Sequence, residues 1–163
     1  MLFLKYSKTK KSLEEFNDFY KPPKEYPDIG IYHPRMRGKI SNEISKLPRV
    51  VSEKNRKGTV GLIVLRSYLL AGNTGHYDGV IAAFESLDVQ VIPCFSMGLD
   101  ARPAIEKFLY SGEEKKIDAL VSLTGFSLVG GPAYNDSEAA KSILAKLNVP
   151  YLSASPLEFQ SLD

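Results

Sequence analysis

From residue 58 onward the chain alternates between two kinds of block. Short β-branched runs occupy residues 59–67 (TVGLIVLRS), 89–95 (VQVIPCF), 118–124 (DALVSLT) and 149–155 (VPYLSAS). Each reads as a strand; the first has turn signals on both sides and reads as buried on both faces. Between them the apolar positions recur at helical spacing. Val80, Ile81 and Phe84 mark a helix over 75–87. Ala104, Ile105, Phe108 and Leu109 mark one over 101–110, and SEAAKSILAKL marks a third over 137–147. Alternating strands and helices predict an α/β domain with a four-stranded parallel sheet and flanking helices, Rossmann-like or flavodoxin-like. The crossovers are expected to be right-handed.

Before residue 58 the pattern is different. Leu13, Phe16, Phe19 and Tyr20 follow Ser12 at roughly helical spacing, which predicts a helix there. Residues 21–38 hold four prolines and two glycines and read as an extended connector crossing a surface. A short helix is expected near 41–46, then a basic loop. The division is therefore 1–57, a basic, proline-containing N-terminal helix and connector, and 58–163, the α/β domain. Charge follows the same division. Residues 1–57 carry 14 Lys+Arg against 7 Asp+Glu, and the remainder carries 7 against 12. The basic residues are scattered and no nucleic-acid motif accompanies them, so they read as a solvated linker or as helices docked on an acidic neighbour.

Composition adds exclusions. A 44% hydrophobic content over 163 residues is enough for a core. The apolar stretch 59–72 is broken by Arg66 and is too short to span a bilayer. At the N-terminus the lysines follow the apolar residues, the reverse of a secretory signal. Cys94 is the one cysteine, so an internal disulfide and a multi-cysteine metal site are both excluded. The expectation is a soluble, intracellular protein.

The chemistry is expected on one edge. The loops after the strands carry Asn73, Thr74, Gly75, His76, Tyr77 and Asp78, then Ser96 to Asp100, then 124–136, then 153–156; the opposite loops are plain. In open parallel sheets ligands bind beyond the carboxyl ends of the strands, where helix N-termini also offer free amides to an anion. Each of these residues also has a structural use. Asn73 or Thr74 would cap the first helix and Asp100 the second, and Asn135 with Glu138 fits a capping box for the third. His76, two residues from Asp78, is placed to move a proton or ligate a metal, and a structural hydrogen bond explains it equally well. His33 beside Pro34 reads as structural and Cys94 as core. Neither GxxxxGK[ST] nor GxGxxG follows a strand, and no paired-histidine zinc motif is present.

The segments NTGHYDGVIAAFE (73–85), GLDARPAIEKF (98–108), DALVSLTGFSLVGGPAYND (118–136) and LNVPYLSASPLEFQSLD (147–163) resemble the large, porphyrin-binding H subunit of the magnesium chelatases. PDIGIYHP (27–34) is similar to the connector preceding that region. The related cobalt chelatase large subunits share the architecture but differ at GHYD, which favours magnesium. Those subunits are far longer, so the resemblance implies an internal slice, able to fold but not to catalyse alone.

The resemblance further implies a metal-inserting ligase of (bacterio)chlorophyll biosynthesis. Protoporphyrin IX and Mg²⁺ are its substrates. ATP is used by AAA+ motor partners and not bound here, which agrees with the missing phosphate loop. The location would be the cytoplasm, or the stroma in a plastid-bearing source. Mg²⁺ sheds water reluctantly, and the porphyrin must lose two pyrrole protons, so a base and a firm grip on the macrocycle are expected. His76 and Asp136 are the candidates for proton handling, with His76 also a candidate metal ligand. Asn73, Gly75, Tyr77, Asp78, Asp100, Phe126, Tyr134 and Asn135 are the candidate substrate-binding residues. Propionates would sit at helix N-termini, and the flat face on Phe126 and Tyr134 or Tyr77. Arg102 could pair with a carboxylate. Two further readings are a non-catalytic scaffold that docks the motor subunits and a cobalt chelatase segment for corrinoid synthesis.

Overall fold

A computed structural model describes residues 25–131 and 133–155. The helix expected around residues 12–20 lies outside them. Six strands form the main sheet: β1 (Ile29–Tyr32), β2 (Ile40–Ser41), β3 (Gly58–Ile63), β4 (Val89–Ser96), β7 (Ala119–Ser122) and β10 (Tyr151–Ser153). Their spatial order is β10-β7-β3-β4-β1-β2. Two small hairpins complete the strands, β5 (Tyr110–Ser111) with β6 (Glu114–Lys115), and β8 (Gly130–Gly131) with β9 (Tyr134–Asn135). The helices are α1 (Arg66–Ala71), α2 (Gly75–Ser86), α3 (Arg102–Phe108) and α4 (Ser137–Leu147).

The parallel core agrees with the expectation: β3 pairs in parallel with both β4 and β7, and β7 with β10. After β3 the chain steps to β4 on one side, then returns to β7 on the other. The order of connection therefore reverses beside β3, which opens a crevice at the carboxyl ends.

Side-chain alternation fixes the layers. Leu62, Val91 and Val121 face one side, where Leu69 of α1 and Tyr77 and Ile81 of α2 cover them. Ile63, Ile92 and Leu120 face the other, against Ala104, Ile105 and Phe108 of α3 and Ile143 and Leu147 of α4. Because successive strand residues point to opposite faces, strands buried on both sides read as continuous apolar runs.

The sheet is wider than expected. Ile29–Tyr32, expected as a connector, is a strand, antiparallel to β4 with Ile29 opposite Ser96 and Ile31 opposite Cys94. Its prolines flank the strand and do not interrupt it, so they forbid a helix but allow pairing. Gly30 is needed there, since a Cβ would lie 2.6 Å from Phe95 Cζ and 2.8 Å from the Ser41 carbonyl oxygen. The helix expected near 41–46 is a single 3₁₀ turn, Ile44–Lys46. The loop expected after β3 begins with α1, closed by Gly72 in the left-handed conformation (φ 75°).

A buried polar cluster ties β1's exit to α2. His33 is fully buried, its Nδ1 accepts the Arg35 amide at 3.2 Å and its Nε2 meets Glu85 Oε1 at 2.9 Å. With Nδ1 accepting, Nε2 carries the hydrogen and donates to the carboxylate. Arg35 pairs with the other Glu85 oxygen. The expected structural role of His33 is what the structure shows.

Candidate functional site at the carboxyl edge

The loops after β3, β4 and β7 meet at the carboxyl edge. Asp100 forms an isolated antiparallel bridge with Val129, made by Ala101 N–H to the Leu128 carbonyl (2.8 Å) and Gly130 N–H to the Leu99 carbonyl (2.9 Å). The Asp136 amide then donates to the Val129 carbonyl at 3.0 Å. Asp100 and Asp136 are thus held on either side of Val129, with Arg102 among them. Arg102 grips Asp100 with two nitrogens, Nε at 3.0 Å from Oδ1 and Nη2 at 2.7 Å from Oδ2. That grip holds the Asp100 carboxyl below its ordinary range. Asp100 in turn strengthens the hold of Arg102 on its proton, and Asp136 adds to it more weakly.

Both carboxylates also serve helix ends. Asp100 Oδ1 accepts the Arg102 amide at 2.9 Å, and Asp136 Oδ1 accepts the Ala139 amide at 2.9 Å. The expected cap at Asn135 is therefore one residue off: Asp136 caps α4, Asn135 lies exposed in β9 opposite Gly130, and Glu138 pairs with Lys141. Two of the helix ends where a propionate was expected are thus occupied by the protein's own carboxylates. The N-terminus of α2, with exposed Asn73 and Gly75 and no side-chain cap from Thr74, is not filled in this way.

His76 stands on the same edge but on the opposite face of the sheet, in the first turn of α2. Its ring lies 3.8 Å from that of Tyr77 and meets Tyr68 edge-on at 5.3 Å. No hydrogen bond or ion pair joins it to Asp100 or Asp136 among the described residues. Nor do three His, Cys, Asp or Glu side chains gather there into a metal-holding group, so His76 as a metal ligand has no set of co-ligands among the described residues.

Tyr77 is 0% exposed, and its hydroxyl accepts the Leu65 amide at 3.1 Å. Burial raises its pKa. Its ring belongs to the core and offers no open platform, because α2 turns that face of its first turn toward the sheet. Asp78 is half-buried and also engaged, accepting from Tyr32 at 2.5 Å and Thr74 at 3.2 Å. Burial, reinforced by the Asp78 bond, pushes Tyr32 up to about 12.

An apolar lip remains open to solvent. Tyr134 is 71% and Met97 59% exposed, Leu99 is partly exposed, and half-buried Phe126 shares a pocket with Leu99. Gly131 lets Leu99 lie on the β8–β9 hairpin, since a Cβ there would collide with Leu99 Cδ1. Between this lip and the tips of β3 and β4 is a small pocket lined by Ile63, Val64, Ser96, Leu99, Phe126 and Leu128. The sequence placed Ser96 in the loop after the second strand and gave it no role of its own; the structure makes it the last residue of β4. The pocket is not the largest concavity. An open cleft of about 740 Å³ lies at the opposite edge, lined by Arg49, Arg56, Lys115 and Lys116 with Glu53 and Glu114. Its charged groups line an open surface, whereas the apolar lip and the reversal of strand order coincide at the carboxyl edge.

A doubly wound α/β domain is the class these features define. Residues 2–163 match the family model described as CobN/Magnesium Chelatase, and the chain belongs to that family. It is 54% identical over 142 residues to the magnesium-chelatase H subunit of Cereibacter sphaeroides, covering 87% of this chain and 12% of that protein. It is 36% identical over 155 residues to the chloroplastic magnesium-chelatase ChlH subunit of Oryza sativa subsp. indica, covering 88% of this chain and 11% of that protein. The catalytic subunit of cobaltochelatase from Mycobacterium tuberculosis shares the fold, with a TM-score of 0.56 at 21% identity over 85% of this chain and 10% of its own. The chain thus spans 11–12% of the length of the curated relatives it matches.

Proposed function

We propose that this chain forms one wall of the tetrapyrrole site in a magnesium-inserting chelatase of (bacterio)chlorophyll biosynthesis. The substrates are protoporphyrin IX and Mg²⁺, and AAA+ partner subunits supply the energy of ATP. The observation that carries this reading is the exposed Met97, Leu99 and Tyr134, with half-buried Phe126, set at the edge where strand order reverses. A flat apolar macrocycle is the kind of ligand such a lip takes. The uncapped start of α2, with Asn73, Gly75 and His76, is the place for a propionate. Asn135 adds a polar group on the far side, and Asp136 a carboxylate for proton handling. Identity of 54% to a magnesium-chelatase subunit favours magnesium over cobalt. Among the described residues no helix is long and apolar enough to cross a membrane. The site of action is the cytoplasm, or the stroma in a plastid-bearing source.

A scaffold reading competes, because Asp100 and Asp136 are both engaged at helix ends. Titrating the full-length subunit with protoporphyrin IX separates the two. His76→Ala is expected to weaken binding about tenfold, some 1.4 kcal/mol, with the fold intact. Unchanged affinity in His76→Ala and Asp136→Ser, which keeps a capping oxygen, would favour the scaffold.

A further inference from the structure

The pocket under the lip contains an unsatisfied group. Ser96 is 8% exposed, and its hydroxyl finds no hydrogen-bond partner among the described residues. A buried hydroxyl without a partner is costly, and native structures tolerate few. The pocket it lines encloses about 20 Å³, room for one oxygen-sized group. Most of the other lining side chains are apolar, and the two further hydroxyls there, Thr124 and Ser127, are both engaged with the backbone. The nearest charge, Asp100, is neutralised by its two-nitrogen grip from Arg102.

We propose that Ser96 is a ligand-binding residue, its hydroxyl completing a hydrogen bond with one polar edge atom of the flat apolar ligand that covers the lip. This rests on the reading above and deepens it. The lip supplies area, and Ser96 supplies orientation. The hydroxyl both donates and accepts, so it suits a carboxyl or carbonyl oxygen at the rim of a tetrapyrrole. A small apolar pocket admits that oxygen and rejects a bulkier group. The place is set by the fold, since Ser96 closes β4 and is pinned there opposite Ile29.

The full-length subunit, wild type and Ser96→Ala, is titrated with protoporphyrin IX by fluorescence, and each protein is melted without ligand. The variant is expected to bind roughly three- to tenfold more weakly, the loss of one hydrogen bond. Its melting midpoint is expected to stay the same or rise, because removing an unpartnered hydroxyl leaves no group unsatisfied. Unchanged affinity overturns the assignment and leaves the chelatase reading standing. A lowered midpoint, with or without weaker binding, also overturns it, since the hydroxyl would then serve the fold through a trapped water. A wild-type subunit that binds no porphyrin overturns the reading of the whole edge, and this assignment with it.

Discussion

Asp100 shows how one side chain sets both local structure and charge. It accepts the first amide of α3 and is gripped by Arg102. A carboxyl held below its ordinary value of 3.8 stabilises the fold fully above that value. The contribution is lost as pH falls through the lowered one. Asp100→Asn is therefore expected to lower the urea midpoint at neutral pH and to flatten its fall in acid, as a denaturation series from neutral to strongly acid pH would show. An acid limb as steep as in wild type would count against the pairing. At Cys94 the thiol is buried, and burial pushes it up to about 12, so it stays protonated and unreactive at neutral pH. The sequence put Asp100 and Asp136 in the loops before α3 and α4 and Cys94 in the core, but it misassigned the caps: Ala101, not Asp100, is the cap residue of α3, and Asp136, not Asn135, caps α4. It did not show that Tyr77 turns inward: a first-turn residue faces the core or the solvent according to the helix's rotation, which one amphipathic turn leaves open.

Among the elements, the best-read ones are those whose apolar pattern closes on a single solution. β3, β4 and β7 are buried on both faces, so their continuous β-branched runs leave little choice, and α4 has a cap and a clear stripe. The elements that the pattern does not reveal depend on partners distant in sequence. β1 is a strand only because the exposed edge of β4 awaits it, and IGIY is too short to declare itself. α1 is two turns with a single buried residue, Leu69. The weight on α2 is testable. Ile81 is fully buried against Leu62 and Val91. Ile81→Ala is expected to destabilise by roughly 2–5 kcal/mol, read from the urea unfolding free energy. A loss well below that range would mean that α2 is not packed as described.

Taken whole, the molecule gathers its candidate residues by topology, and that gathering was legible without coordinates. Alternating strands and helices dictate parallel strands, parallel strands gather their carboxyl-end loops, and glycine, aspartate and aromatic residues collect there. The finer division was not legible. His76 and Asp136 share an edge but lie toward opposite faces of the sheet, because α2 covers one face and α4 the other. Only the connection order decides that, and it depends on which side of β3 each crossover takes. The unpartnered Ser96 hydroxyl was also hidden, since an absent partner leaves no trace in a sequence.

The polypeptide entering β1 arrives at this edge and is fastened there. The Asp28 carbonyl accepts the Met97 amide at 2.5 Å, and Arg66 reaches the Pro27 and Tyr26 carbonyls at 3.0 Å each. The residues leading into β1 are thus knotted to the Met97 turn and to α1, so the lip's place depends on a backbone tether as well as on its own strand. Arg66→Met is expected to speed deuterium uptake at residues 26–28 and at the Met97 turn together, while β3 and β7 keep their protection. If only residues 26–28 respond, no such mechanical linkage joins the leading strand to the pocket.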